Sequence, residues 1–239
     1  MSLLESLKRL LPAPERVSEK VDSQITNTPP AKFNDNLNYM LFSGEGTYEK
    51  TGRKRKFKIE AFSEPEAIQE LESSGYVPGT INICRVPFDP PSEEQIAAMK
   101  KHKNRIPQNA CKDDISFLIE KAMYDQRNPD KQLIDFANGQ KVKFSYYTGE
   151  QSLYDRIWNK FSLEEKFAFY LACVKKDKTT AWNFGDFDRY KNMAPEYLND
   201  DKFMNSFKRY SGKGNHFRGF MEDTTSRNTN CYKIATSII

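Results

Sequence analysis

Residues 53–66 read Arg53-Lys54-Arg55-Lys56-Phe57-Lys58-Ile59-Glu60-Ala61-Phe62-Ser63-Glu64-Pro65-Glu66. In the first part of this stretch Phe57, Ile59 and Ala61 fall on one face. Lys54, Lys56, Lys58 and Glu60 fall on the other, the period of a half-buried strand. At Ser63 the period changes. Ser63 is a favoured N-cap, Pro65 suits a first helical turn, and Glu66 stands where a capping box needs it. Ala67, Ile68 and Leu71 supply a buried helical stripe, and Gly75 ends it. A strand that feeds directly into a helix sets the expected class, α+β.

Upstream, Asn38 to Phe42 begins a strand, and Glu49-Lys50-Thr51-Gly52 supplies the turn, with Gly52 free to take positive φ. Downstream, Thr80 to Val86 reads as a third strand, so 37–88 is expected to be a small β-β-α-β module. Pro87 to Pro91 breaks the chain. Ser92, with Gln95 three residues on, then caps a helix that turns Ile96 and Met99 inward. Ile106 to Ala110 is a loop, and Ile115, Leu118, Ile119 and Ala122 mark a second helix, which makes 89–128 a helical hairpin. Residues 129–239 read as a mainly α-helical, aromatic-rich module. Its longest helix opens at the Ser162/Glu165 capping box and runs through Phe167, Ala168, Phe169, Leu171, Ala172 and Val174. It is apolar on several sides and is therefore expected at the centre. Asn199 to Tyr210 is a further helix, and Asn230 to Ile239 a strand or docking tail. At the other end, residues 1–36 form an amphipathic helix and a linker. Leu3, Leu4, Leu7, Leu10 and Leu11 make one stripe, ended by Pro12 and Pro14. Leu3, Leu4, Leu7 and Leu11 are expected to dock on a protein partner.

The 239 residues are 38% hydrophobic, 29% charged and 13% aromatic, enough for a real core. No apolar run approaches 18 residues, so no membrane span is expected. Glu5, Lys8 and Arg9 interrupt the first apolar stripe, which argues against a secretory signal and for a cytoplasmic location. The four cysteines stand far apart without a Cys-x-x-Cys pair, which points to free, mostly buried thiols and no metal or other cofactor. The net charge is +4, and 151–239 holds 15 basic against 11 acidic residues with 17 of the 31 aromatics. Basic charge interleaved with rings is what single-stranded nucleic acid requires, and also what any soluble aromatic core produces.

Ser92-Glu93-Glu94-Gln95-Ile96, Ile106-Pro107-Gln108-Asn109-Ala110 and Lys112-Asp113-Asp114-Ile115-Ser116-Phe117-Leu118-Ile119 together resemble a SAP-like helix pair. In that form it occurs in accessory regions of bacterial proteins, some of which also carry a HIRAN domain or a polymerase-epsilon-type exonuclease. Ser152-Leu153-Tyr154-Asp155, Glu165 to Phe169 and Asp201 to Phe207 resemble the uncharacterised helical region that follows such pairs. The resemblance covers about half the chain, which itself carries neither HIRAN nor exonuclease motifs. It implies nucleic-acid-associated company without an activity, and it makes Lys100, Lys101, Lys103, Arg105 and Lys112 candidates for backbone contact. Asp113 and Asp114 are expected to blunt the local positive field.

The densest basic run is Lys50, Arg53, Lys54, Arg55, Lys56 and Lys58. Lys54, Lys56 and Lys58 would follow one another at about 7 Å along one strand face, close to the phosphate repeat. The bland reading is an edge strand guarded by lysine, with Glu64, Glu66, Glu70 and Glu72 cancelling the charge. Arg209, Lys213 and Arg218, among glycines, Tyr210 and Phe217, form a second attractive stretch. The expected function is thus a noncatalytic accessory protein that contacts DNA or RNA. A protein-interaction module, acting as inhibitor or scaffold and binding through aromatic surface rather than charge, is the alternative. A metal-dependent nuclease using Asp186, Asp188 or Glu165 is the third reading.

Overall fold

The structure, a computed structural model, describes residues 35–102, 104–208 and 227–239. It is α+β, with a three-stranded antiparallel sheet followed by helices. Strands β1 (Met40–Tyr48) and β2 (Arg53–Ala61) form a hairpin, helix α1 (Glu64–Ser73) follows, and β3 (Asn82–Val86) returns to the other side of β1. The sheet order is β2-β1-β3. The hairpin turn is one 3-10 turn, Glu49–Thr51, closed by Gly52 at φ 61°. Ser63 accepts a hydrogen bond from the Glu66 N–H, and Pro65 lies in the first turn, as the sequence predicts.

The register fixes the faces. Met40 pairs with Ala61, Phe42 with Ile59 and Gly44 with Phe57; Phe42 and Gly44 also pair with Arg85 and Ile83 of β3. This face carries the module's core, in which Phe42, Ala61 and Ala67 are buried with Met40, Ile59 and Ile83 packed around them. Helix α1 therefore covers it. The opposite face holds Leu41, Ser43, Glu45 and Thr47 of β1 and Lys54, Lys56, Lys58 and Glu60 of β2.

Helices α2 (Glu93–Lys101) and α3 (Lys112–Met123) pack on each other. Ser92 and Gln95 form the expected capping box, and the Gln95 amide also donates to the Lys112 carbonyl (2.9 Å) and the Ser116 hydroxyl (2.9 Å), which clasps the pair. Helices α4 (Lys131–Gly139), α5 (Glu150–Lys160), α6 (Leu163–Thr179), α7 (Phe187–Leu198), α8 (Asp201–Phe207) and α9 (Asn230–Ile238) build the main core. Helix α6 is the central one, and every residue from Phe167 to Val174 is buried.

Two expectations change. The segment Asn230–Ile238, expected as a strand or tail, is helix α9, capped by Thr229 and burying Cys231, Tyr232 and Ala235. Asp114, expected to blunt the positive field beside the lysines, is fully buried. It accepts the Ser145 hydroxyl at 2.6 Å and the Cys111 N–H at 3.1 Å. Among the described residues, no helix is long and apolar enough to cross a membrane.

The small sheet is tied to the helical core by its first residues. Leu37 forms an isolated bridge with Ser145. The Asn38 side chain donates to Asn138 (2.9 Å) and to the Val142 carbonyl (2.8 Å) and accepts from the Phe144 N–H (2.8 Å). Lys143 reaches Glu60, Lys141 reaches Glu66, and Lys160 lies over the Phe62 ring, all at the same end of the hairpin. The Tyr48–Arg53 turn is at the other end, roughly 25 Å away along nine-residue strands.

Candidate nucleic-acid interface

The lysine-bearing face of β2 is built by alternation and left open by the placement of α1. Lys54, Lys56 and Lys58 share it and are exposed. The helical glutamates that would cancel them lie on the far side of the sheet. Other acids take that part. Lys54 pairs with Glu45 at 3.2 Å, and Lys58 reaches both Asp89 oxygens at 3.0 and 3.1 Å. Both pairs sit in solvent; exposed pairs of this kind contribute about 0–1 kcal/mol, so phosphate can replace the carboxylates at small cost. Glu45 stands directly opposite Lys56. Arg55 turns to the other face and lies 4.2 Å from the Tyr48 ring centroid.

A cavity of about 310 Å³ opens where this face meets the start of α3. Its lining combines Leu41 and Phe88 with Lys58, Glu60, Asp89, Lys112 and Asp113. Leu41 and Glu60 are one cross-strand rung and Ser43 and Lys58 the second rung beyond it, so the cavity continues the lysine row. The Phe88 ring meets the Tyr39 ring edge-on at 5.5 Å, and the Tyr39 hydroxyl donates to Asp113 at 3.2 Å. Burial, reinforced by the Asp113 charge, pushes the Tyr39 phenol far up, so it stays a donor. The backbone carbonyl of Asp89 accepts the Lys112 N–H at 2.8 Å, which fixes the loop before α2 against α3.

The sequence-selected lysines therefore divide. The structure brings Lys112 to the same cavity as Lys58. Lys100, Lys101 and Arg105 are exposed in and after the last turn of α2. Lys101 lies six residues beyond Gln95, about 9 Å further along the helix. Lys103, Arg209, Lys213 and Arg218, and the apolar stripe of Leu3, Leu4, Leu7 and Leu11, lie outside the described residues. Phe88 and the cavity escaped sequence reading; the ring's position after Pro87 is its only local sign.

Two of the three nuclease candidates, Asp186 and Glu165, are engaged in ion pairs. Asp186 pairs with Lys175 (2.8 Å) and Arg189 (3.5 Å), and Asp188 is exposed. Glu165 closes the Ser162 capping box and pairs with Lys191 at 2.7 Å. Among the described residues, no group of three His, Cys, Asp or Glu side chains is arranged to hold a metal ion.

A second charged cluster was not foreseen. Lys176 lies 2.5 Å from Asp130 and 3.9 Å from Glu150, with the Trp182 ring centroid 4.2 Å from its ammonium. The Trp182 indole N–H donates to Asp130 at 2.6 Å, and Arg127 pairs with Glu150. Asp130 caps α4, Glu150 opens α5, and Lys176 ends α6, so each charge also complements a helix dipole. Burial would raise the Asp130 carboxyl, but Lys176, the Leu133 N–H and Trp182 outweigh it and hold it below its ordinary value. The arrangement fastens three helix ends. No family model, curated protein or solved structure matches the chain.

Proposed function

We propose that this chain is a noncatalytic, cytoplasmic accessory protein that contacts nucleic acid through the open lysine face of its small sheet, continued by Lys112 and Lys101. The observation that carries the reading is the joint exposure of Lys54, Lys56 and Lys58 on a face that α1 leaves bare. Three ammonium groups in a row match a run of phosphates. A protein partner on the Leu3 to Leu11 stripe belongs to the same proposal.

Titration of labelled DNA and RNA oligonucleotides at low and high salt tests it. Affinity should fall steeply with salt, and changing Lys54, Lys56 and Lys58 to Ala should reduce the log–log slope by about 2–3. Absence of binding at low salt would overturn it. One observation favours the alternative, a protein-docking surface: Glu45 and Asp89 already satisfy Lys54 and Lys58. That alternative gives no salt-dependent oligonucleotide binding and an unchanged complex after nuclease treatment of a native pull-down.

A further inference from the structure

We propose that the cavity at the end of the lysine row receives an unpaired nucleobase, so that the strand bound by this face is single rather than double. The inference rests on the nucleic-acid reading above and deepens it. A phosphate on Lys58 or Lys112 would leave the apolar part of this cavity unfilled. Three carboxylates, Glu60, Asp89 and Asp113, face two lysines across it, and Leu41 and Phe88 add apolar surface. Each carboxylate already has a partner, Asp89 in Lys58, Glu60 in Lys143 and Asp113 in the Tyr39 hydroxyl, so the cavity is close to charge-balanced. It accepts a neutral, flat group with an apolar face and hydrogen-bond donors on its edge. A base provides both: its π-face can lie on the Phe88 ring, and its amino and imino hydrogens can donate to carboxylate oxygens.

Geometry agrees. The cavity volume of about 310 Å³ is larger than a single base. Lys54, Lys56 and Lys58 lead into it along one strand at about 7 Å per step, so a backbone tracking them delivers its next base to the cavity mouth. The ring of Phe88 is braced edge-on by buried Tyr39, which is anchored to Asp113, so the stacking surface is held before any ligand arrives. A base inside a duplex cannot present its face there without leaving its stack. Guanine offers two adjacent donors to one carboxylate and is expected to be the preferred occupant.

The experiment uses the full chain and fluorescence anisotropy at low salt, with short labelled single strands of each base and a duplex of matched length. Single strands should bind at least about tenfold tighter than duplex, with guanine-containing strands tightest. Phe88→Ala should weaken single-strand binding about tenfold and leave duplex binding unchanged. Phe88→Leu checks that the loss follows the ring rather than the fold, and Glu60→Gln should flatten the preference among bases. Equal binding of single strand and duplex, with Phe88→Ala neutral and the lysine substitutions still deleterious, overturns the base pocket and leaves the lysine face standing. Binding of no oligonucleotide overturns both.

Discussion

Asp114 carries more structural weight than its exposed neighbours on α3. Its two oxygens accept the Ser145 hydroxyl and the Cys111 N–H in a fully buried position. Asp114→Ala strands both donors without water and should cost about 2–3 kcal/mol in urea unfolding. Asp113→Ala removes the acceptor of the Tyr39 hydroxyl and should cost about 1 kcal/mol. Equal losses would contradict this ranking. Acid stability turns on a second aspartate. The Asp130 carboxyl is held below its unfolded value of 3.8, so its contribution is present above about pH 4 and disappears as pH falls through the lower folded value. Asp130→Asn should therefore flatten the acid limb of a stability–pH curve while lowering stability at neutral pH. At this scale the lysine alternation is legible from residue order alone. The partners Glu45 and Asp89 are not, because one is set by hairpin register and the other by where a proline-broken loop comes to rest.

The sheet depends on a close approach at one glycine. A Cβ at Gly44 would stand 1.9 Å from the Asn82 carbonyl oxygen and 2.9 Å from the Phe57 ring. Gly44→Ala must push β3 off β1 and should cost about 3 kcal/mol. Gly139→Ala, at the open end of α4 with nothing within 4 Å, should instead gain up to about 1 kcal/mol. Chemical denaturation followed by circular dichroism separates the two, and similar midpoints would remove the steric account. Elements with local punctuation were legible: Ser63, Ser92 and Ser162 each cap the helix that their following residues specify. Helix α9 was not. Ile234, Thr236, Ile238 and Ile239 are β-branched and favour extended chain, and only burial of Cys231, Tyr232 and Ala235 decides for the helix. The Cys231 N–H donates to Ser206 of α8 at 2.8 Å, a contact no local pattern announces.

Across the whole molecule, Asn38 joins two cores that the chain separates by a hundred residues. It makes three side-chain hydrogen bonds to Asn138, Val142 and Phe144. Asn38→Ala should lower stability by about 2–3 kcal/mol and split calorimetric unfolding into two steps, with the sheet melting first. One unsplit transition would place the coupling elsewhere. The order of strands and helices was readable because prolines and caps divide the chain. Their junction was not, since a single asparagine at a strand start carries no mark of distant partners. The far side of the sheet has its own consequence. Glu64, Glu70 and Glu72 project from the helix that backs it, while the ammonium row occupies the front, so the unit is an electrical couple with poles roughly 20 Å apart. That separation is more than twice the ~8 Å screening distance of physiological saline, so an approaching polyanion feels the nearer pole above the other. Near a polyanion the couple feels a torque as well as a pull, and it swings the correct surface forward in the final nanometre before collision.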